Sequence, residues 1–252
     1  VAITISATTA VDGEPLRLGH AYIAPADHHL LVLGDSVRLG RGPRENMARP
    51  AIDPLFRSVG LSFGPRAIGV VLTGMLNDGA AGLADLKRCG GITVVQNPAD
   101  AVAPDMPLGA LRSSDIDFRA SLADLGNLLV ELSKQEAGPA VDVPDDVALE
   151  VEIALGRAAD TPRLAQFADA VPLSCPACGG VLSEMHQRPP VRFRCQVGHA
   201  YTLEALAEEK EETGDEAVRV ALRIIEERAV LSEKMADDAR RSGRPAAAKA
   251  NE

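Results

Sequence analysis

The chain has 252 residues, 46% of them apolar but only 3% aromatic and none tryptophan, so aliphatic side chains must fill its core. With 36 acidic residues against 26 basic ones the formal charge is −10, which argues against broad nucleic-acid binding, since that requires Lys and Arg to neutralise phosphates. No apolar run approaches the roughly 20 residues of a membrane span, and residues 1–10 lack the basic start and long apolar core of a signal peptide. The chain reads as soluble and cytoplasmic, with no membrane insertion and no nucleic-acid partner.

In chain order, residues 1–6 form a short β-rich run and residues 21–24 another, after the turn-like "VDGEPLRLG". Residues 30–33 and 37–39 flank Gly34-Asp35 and suit a hairpin. A short helix is expected over 54–61. The continuous apolar run 67–72 has the signature of a strand covered on both faces. A helix over 79–88 follows, ending at Gly90-Gly91; then come a strand over 92–95 and a helix over 122–132. Strand and helix in short alternation predict an α/β fold, with a doubly wound, mostly parallel sheet over residues 1–133.

Residues 134–170, "KQEAGPAVDVPDDVALE" among them, mix Pro, Gly and acids as a linker does, with room for a short helix within 147–164. A compact cysteine segment occupies 171–202. An amphipathic helix is expected over 203–241, with Val218, Ala221, Leu222, Ile225, Ala229 and Met235 on one stripe. Residues 242–252 read as a disordered tail.

The cysteine segment reads "CPAC", sixteen residues, then "CQVGH". Cys175, Cys178, Cys195 and His199 offer the four tetrahedral donors zinc prefers, and a two-residue gap lets both sulfurs of a knuckle turn toward one ion. Gly179-Gly180 and Gly198 supply the tight turns. Four protein ligands imply a structural zinc ribbon, because a catalytic zinc keeps one position for water. The alternatives are a Cys175–Cys178 disulfide, or buried thiols beside a surface His; His186 is a reserve fourth ligand. Arg188, Arg192 and Arg194 give the ribbon a local basic face. Cys89 reads as plain core.

Asp78, in "VLTGMLNDGAAG", follows an apolar strand and precedes a helix. In an open α/β sheet, reactive groups gather in such loops, yet Asp before a helix is also a favoured N-cap. On spacing alone both readings stand.

The words "DGEPLRLGHAYIAPADHHLLV", "RPAIDPLFRSVG", "GVVLTGMLNDGAAGLADLKRCGGITVVQNP" and "APDMPLGAL" resemble, in order, the catalytic domain of the chemotaxis receptor methylesterases, the CheB family. The resemblance runs from about residue 12 to residue 132. It implies a doubly wound α/β fold and protein-glutamate methylesterase activity, the hydrolysis of glutamyl methyl esters on chemoreceptors by a Ser, His and Asp triad. The family's TGMGxDGA motif matches residues 73–80 and places the catalytic Asp on Asp78, with Leu76 departing from the usual Gly. The ribbon and the helix after it resemble an extension found in some members.

The resemblance also implies a nucleophilic Ser in a Gly-rich turn, and a His, ahead of the "DGEPL" stretch, where this sequence offers eleven residues. Ser6 in "TISATTA" lacks the following glycine and falls where the family has an ordinary strand. His28, His29 and Met75 are candidates for the neighbourhood of Asp78, the histidines as surface or site-rim groups. The expectation is an N-terminally incomplete domain, inactive by itself, whose uncovered strand edges favour self-association. A start at Val1 fits a cut or processed chain, or a non-ATG start codon. The rival expectation is a catalytically silent zinc-ribbon binding or regulatory module.

Overall fold

In this computed structural model, residues 5–157 and 161–243 are described. The strand expected over 1–6 falls partly outside them, and so does most of the expected tail. The chain divides into two compact units after Leu206.

The first unit opens with β1 (Ser6–Thr9), paired in parallel with β2 (His20–Ile23). β3 (His29–Leu33) and β4 (Ser36–Gly40) form the antiparallel hairpin expected about Gly34, whose φ of 56° suits a residue without Cβ. α1 (Ile52–Phe63) packs on β3. Next come β5 (Ile68–Val71), α2 (Ala80–Arg88), β6 (Ile92–Gln96), α3 (Asp105–Ser113), β7 (Phe118–Ala120) and α4 (Leu122–Leu132). Here β5, β6 and β7 make a three-stranded parallel sheet.

Side-chain alternation explains why residues 67–72 are apolar throughout. Ala67 and Val71 join Val95, Leu83, Leu86, Ala110 and Phe56 on the face under α1, α2 and α3. Ile68 and Val70 turn the other way, with Ile92 and Val94, onto Leu125 and Leu132 of α4. A mixed α/β fold with a parallel sheet is therefore present. The expected doubly wound sheet over residues 1–133 is not continuous: among the described residues the strands fall into four small sheets, and the β3–β4 hairpin lies on α1 without pairing with β5. The helix α3 and strand β7 had no forecast.

The stretch expected to be a linker is corrected at its centre. α5 (Asp145–Ala154) packs on α1 and buries Val147, Leu149, Val151 and Ile153. Its acids misled the composition argument, since Asp146 and Glu150 are spent on arginines and not on water. A short α6 (Thr161–Leu164) leads into β8 (Ala168–Ser174), β9 (Val181–Met185), β10 (Arg192–Cys195) and β11 (Ala200–Thr202). These four strands form an antiparallel sheet in the order β11-β10-β9-β8. They belong to the same unit as the α/β layers.

α7 (Leu203–Arg241) matches the helix expected over 203–241. Beyond Leu206 it belongs to the second unit, where Val218, Leu222, Ile225 and Met235 of the expected stripe are exposed. No described helix is long and apolar enough to cross a membrane.

Candidate functional site

Two polar assemblies stand out in the first unit. The first gathers Cys175, Cys178, Cys195 and His199, the four donors expected of a ribbon. Sγ of Cys178 and Sγ of Cys195 lie 3.7 Å apart, and His199 Nδ1 lies 3.5 Å from Sγ of Cys195 and 3.7 Å from Sγ of Cys175. All four ligand atoms fall within 4.8 Å of one another, close enough to hold a metal ion. The backbone shapes both knuckles: the Cys175 amide donates to Gly180 O and the Gly179 amide to Cys175 O, while the Gly198 amide donates to Cys195 O. Glycines at 179 and 198 take φ of 72° and 104° in these turns, as their placement in the sequence suggested.

Burial pushes the Cys175 thiol up, but the Tyr201 hydroxyl and the amides of Cys178 and Ala177 outweigh it and hold it below the usual range. Burial drives the Cys195 thiol up to about 11 and lowers His199. His186 is no reserve ligand; it is half exposed and faces Asp169 at 3.1 Å. The expected basic face is also absent. Arg188 pairs with Glu184, and Arg192 and Arg194 are buried.

Where those two arginines go defines a buried ion-pair cluster. Arg57, 1% exposed, donates to Glu45 at 2.6 Å and Asp85 at 2.9 Å, and lies 3.1 Å from Glu150. Arg194 bonds Glu150, Glu45 and the Gly198 carbonyl, and Arg192 approaches Asp85 at 3.5 Å. Burial raises Asp85, but Arg192 and Arg57 prevail and hold it low. Asp53 behaves oppositely. Burial pushes its carboxyl up to about 7 in spite of Arg57, aided by the charges of Asp78 and Glu45.

Asp78, in the loop between β5 and α2, borders this cluster. It does not cap the helix that follows it; Gly79 holds the N-cap position of α2 with no side-chain bond. Its carboxylate serves the neighbouring helix instead. Oδ2 accepts the Ile52 amide at 2.8 Å, and Oδ1 accepts the Asp53 amide at 3.4 Å, at the start of α1. Asn46 Nδ2 and the Gly79 amide also donate to Oδ1, at 3.3 and 3.0 Å. Burial raises the Asp78 carboxyl, against these hydrogen bonds. A carboxylate offers about four acceptor positions, and among the described contacts Oδ2 accepts from the Ile52 amide alone, so an acceptor position on it is uncommitted.

Among the described residues, none of the candidates for its neighbourhood bonds to Asp78 directly. His29 is fully buried, not at a rim: its Nδ1 accepts the Ala51 amide at 3.2 Å and its Nε2 donates to Pro43 O at 3.0 Å. His28 accepts from Arg41. Met75 is 74% exposed, and Ser6 is an exposed residue of β1. What sequence reasoning missed is Asn46 and Asp53. Asp53 had a signal, its place in "RPAIDPLFRS"; Asn46 had none. Cys89 is buried core, as expected.

A family model described as CheB methylesterase matches residues 2–129. The chain belongs to the CheB methylesterase family. It is 41% identical over 138 residues to a protein-glutamate methylesterase/protein-glutamine glutaminase of Yersinia pestis, covering 53% of this chain and 40% of that one. A relative with the same description, numbered 1, in Xanthomonas campestris pv. campestris is 38% identical over 135 residues, covering 52% and 38%. Among solved structures, the crystal structure of the Thermotoga maritima CheB methylesterase catalytic domain aligns with 49% of this chain and 68% of that chain, at 30% identity and a TM-score of 0.47. The chain thus spans about two fifths of the length of the curated relatives it matches. The cysteine cluster lies beyond the stretch that the CheB model matches.

Proposed function

We propose that this chain supplies the carboxylate part of a protein-glutamate methylesterase of chemotaxis-type signalling, acting on methylated chemoreceptors, with Asp78 as the third member of a Ser-His-Asp triad. In that chemistry a Ser oxygen attacks the ester carbonyl and a His takes its proton. The carboxylate fixes the imidazole tautomer and supports its charge. Family membership carries the reading, and the bonding position left on Asp78 Oδ2 supports it.

The chain by itself is expected to release methanol from methylated receptor only at background, because Ser and His act as a unit. Fusing the relatives' preceding segment in frame ahead of Val1 should restore release, and Asp78→Asn should then cost about 10⁴-fold. Restored activity indifferent to Asp78→Asn would defeat the assignment. One observation favours a second reading: every bond Asp78 makes serves α1, the following amide or Asn46, as a purely structural carboxylate would. No recovery in the fusion would leave that reading, a silent zinc-ribbon binding or regulatory module.

The four ribbon donors are assigned one structural zinc. Bonds of about 2.3 Å to sulfur and 2.0–2.1 Å to nitrogen at tetrahedral angles would set sulfurs about 3.8 Å apart and sulfur about 3.6 Å from nitrogen. Three of the donor pairs, at 3.5–3.7 Å, support it, and the remaining pairs lie within 4.8 Å. Elemental analysis should find one zinc per chain and none in Cys178→Ser. Self-association of the chain is tested by sedimentation against a truncation after Tyr201; a monomer in both forms would refute it.

A further inference from the structure

The metal cluster and the Asp78 loop are joined by one short strand. β11 begins directly after His199 and pairs with β10, which ends in Cys195. A metal at the cluster would therefore cross-link these two strands at one end. The rest of β11 is bonded to the groups that hold Asp78. Ala200 O accepts the Asn46 amide at 2.9 Å, and the Thr202 amide donates to Asn46 Oδ1 at 3.0 Å. With its acceptor so engaged, the Asn46 side chain turns its amide hydrogens to Asp78 Oδ1 at 3.3 Å and Asp53 Oδ2 at 3.0 Å. In a second path the Thr202 hydroxyl donates to Asn77 Oδ1 at 2.6 Å, and Asn77 Nδ2 donates to Glu204 at 2.7 Å. Asn77 is the residue immediately before Asp78.

These groups are dry. Asn46, Asn77 and Thr202 are all buried, and among the described residues no buried side-chain polar atom lacks a partner. Withdrawing β11 would orphan the acceptors of Asn46 and Asn77 together, a cost that makes the arrangement all-or-none. Arg194 secures the same join from the other side. It sits one residue before Cys195, donates to Gly198 O inside the second knuckle, and bonds Glu45, the neighbour of Asn46.

We propose that the metal-bound ribbon clamps the Asp78 loop: Asn46 and Thr202 are positioning residues for the Asp78 carboxylate, and loss of the metal releases it. The proposal rests on the metal assignment of Cys175, Cys178, Cys195 and His199. It makes the ribbon a control element of the carboxylate, sensitive to metal supply.

Amide hydrogen exchange of the whole chain tests this, read at Ile52, Asp53 and Gly79, whose N–H groups bond to Asp78. The β3–β4 hairpin serves as the internal control. Stripping zinc with a chelator should speed exchange at the three amides about tenfold or more, with the hairpin unchanged. Thr202→Val, which removes the hydroxyl alone, should speed Gly79 about 3–10-fold while zinc stays at one per chain. Faster exchange confined to 171–202 on stripping, with Thr202→Val also silent at Gly79, would overturn the clamp. If stripping accelerates the hairpin too, the unit has unfolded and Thr202→Val decides. If the protein holds no zinc yet Thr202→Val accelerates Gly79, the metal assignment fails and the positioning role of β11 stands.

Discussion

The cysteine cluster and the Arg57 cluster are both buried polar assemblies in the same unit, and they were encoded in opposite ways. The cysteine cluster comes from 25 consecutive residues, Cys175 to His199, whose spacing and local strand pairing bring the donors together. Around Arg57 stand Glu45, Asp85, Glu150 and Arg194, one or two from each of several distant segments. No periodicity links those positions. What the difference teaches is that a site can be read from sequence when its geometry is local. When it is assembled by packing, each member reads as its bland local alternative: Glu150 as linker acid, Arg194 as surface base.

The largest effect that sharpens this contrast is removal of the hub. Arg57→Met leaves Glu45, Asp85 and Glu150 buried with fewer cations. Breaking a buried pair from one side costs about 3–5 kcal/mol. Urea unfolding should show a loss of that size, and Arg57→Lys should not recover it in full, because an ammonium cannot reproduce the planar fork that reaches Glu45 and Asp85 together. A loss below about 1 kcal/mol would mean that the cluster behaves as a solvated surface network, and the contrast would collapse.

The same contrast governs how much of the fold was legible. The elements with a complete local signature were found within two or three residues of their ends: the hairpin about Gly34, the strand β5, the helix α4 and the helix α7. α4 shows why, since Ser121 caps it by accepting the Asp124 amide and its apolar face repeats regularly. α5 was legible only as a short helix in a linker, because burial of Asp146 and Glu150 depends on Arg88, Arg57 and Arg194, which no window around 145–154 contains. Asp78 fell between. Its loop position was legible, but the helix it caps starts 26 residues earlier in the chain. The buried ring of His29 likewise depends on Pro43 and Ala51, so its place could not be read from "ADHHLLV".

A middle-sized effect separates the acids within the cluster. Asp53 ordinarily titrates near 3.8 but is pushed up to about 7 in the folded chain, chiefly by burial. The folded state therefore holds a proton that the unfolded state has already released. Its stabilisation is complete below about pH 4 and is lost as pH rises through about 7. Asp85, held low by its arginines, works the other way and loses its contribution only in acid. The chain and its Asp53→Asn variant, unfolded in urea from pH 5 to 8, should diverge. Wild-type stability should fall relative to the variant with rising pH, whereas parallel curves would place Asp53 with Asp85 as a permanently ionised member.

The smallest effect concerns Leu76, and it tests whether the loop carrying Asp78 keeps the path implied by the family motif. The motif has Gly at this position, and Leu76 adopts a φ of 59°, in the left-handed region where a side chain is strained. The backbone has kept the conformation that suits Gly while the residue has changed. Left-handed geometry costs a non-glycine residue about 1–2 kcal/mol, and glycine gives back roughly 0.5–1 kcal/mol of that through its freer unfolded chain. Leu76→Gly should therefore raise stability slightly, by up to about 1 kcal/mol. Gly74→Ala, two residues earlier, should do the reverse, since an added Cβ would lie 2.0 Å from Met106 Sδ. Asp78 should hold its bonds to the Ile52 and Asp53 amides in Leu76→Gly, visible as unchanged exchange at those positions. A clear loss of stability would instead show that the half-buried Leu76 side chain contributes packing that outweighs its strain. The loop would then have been rebuilt around the leucine and not merely tolerate it.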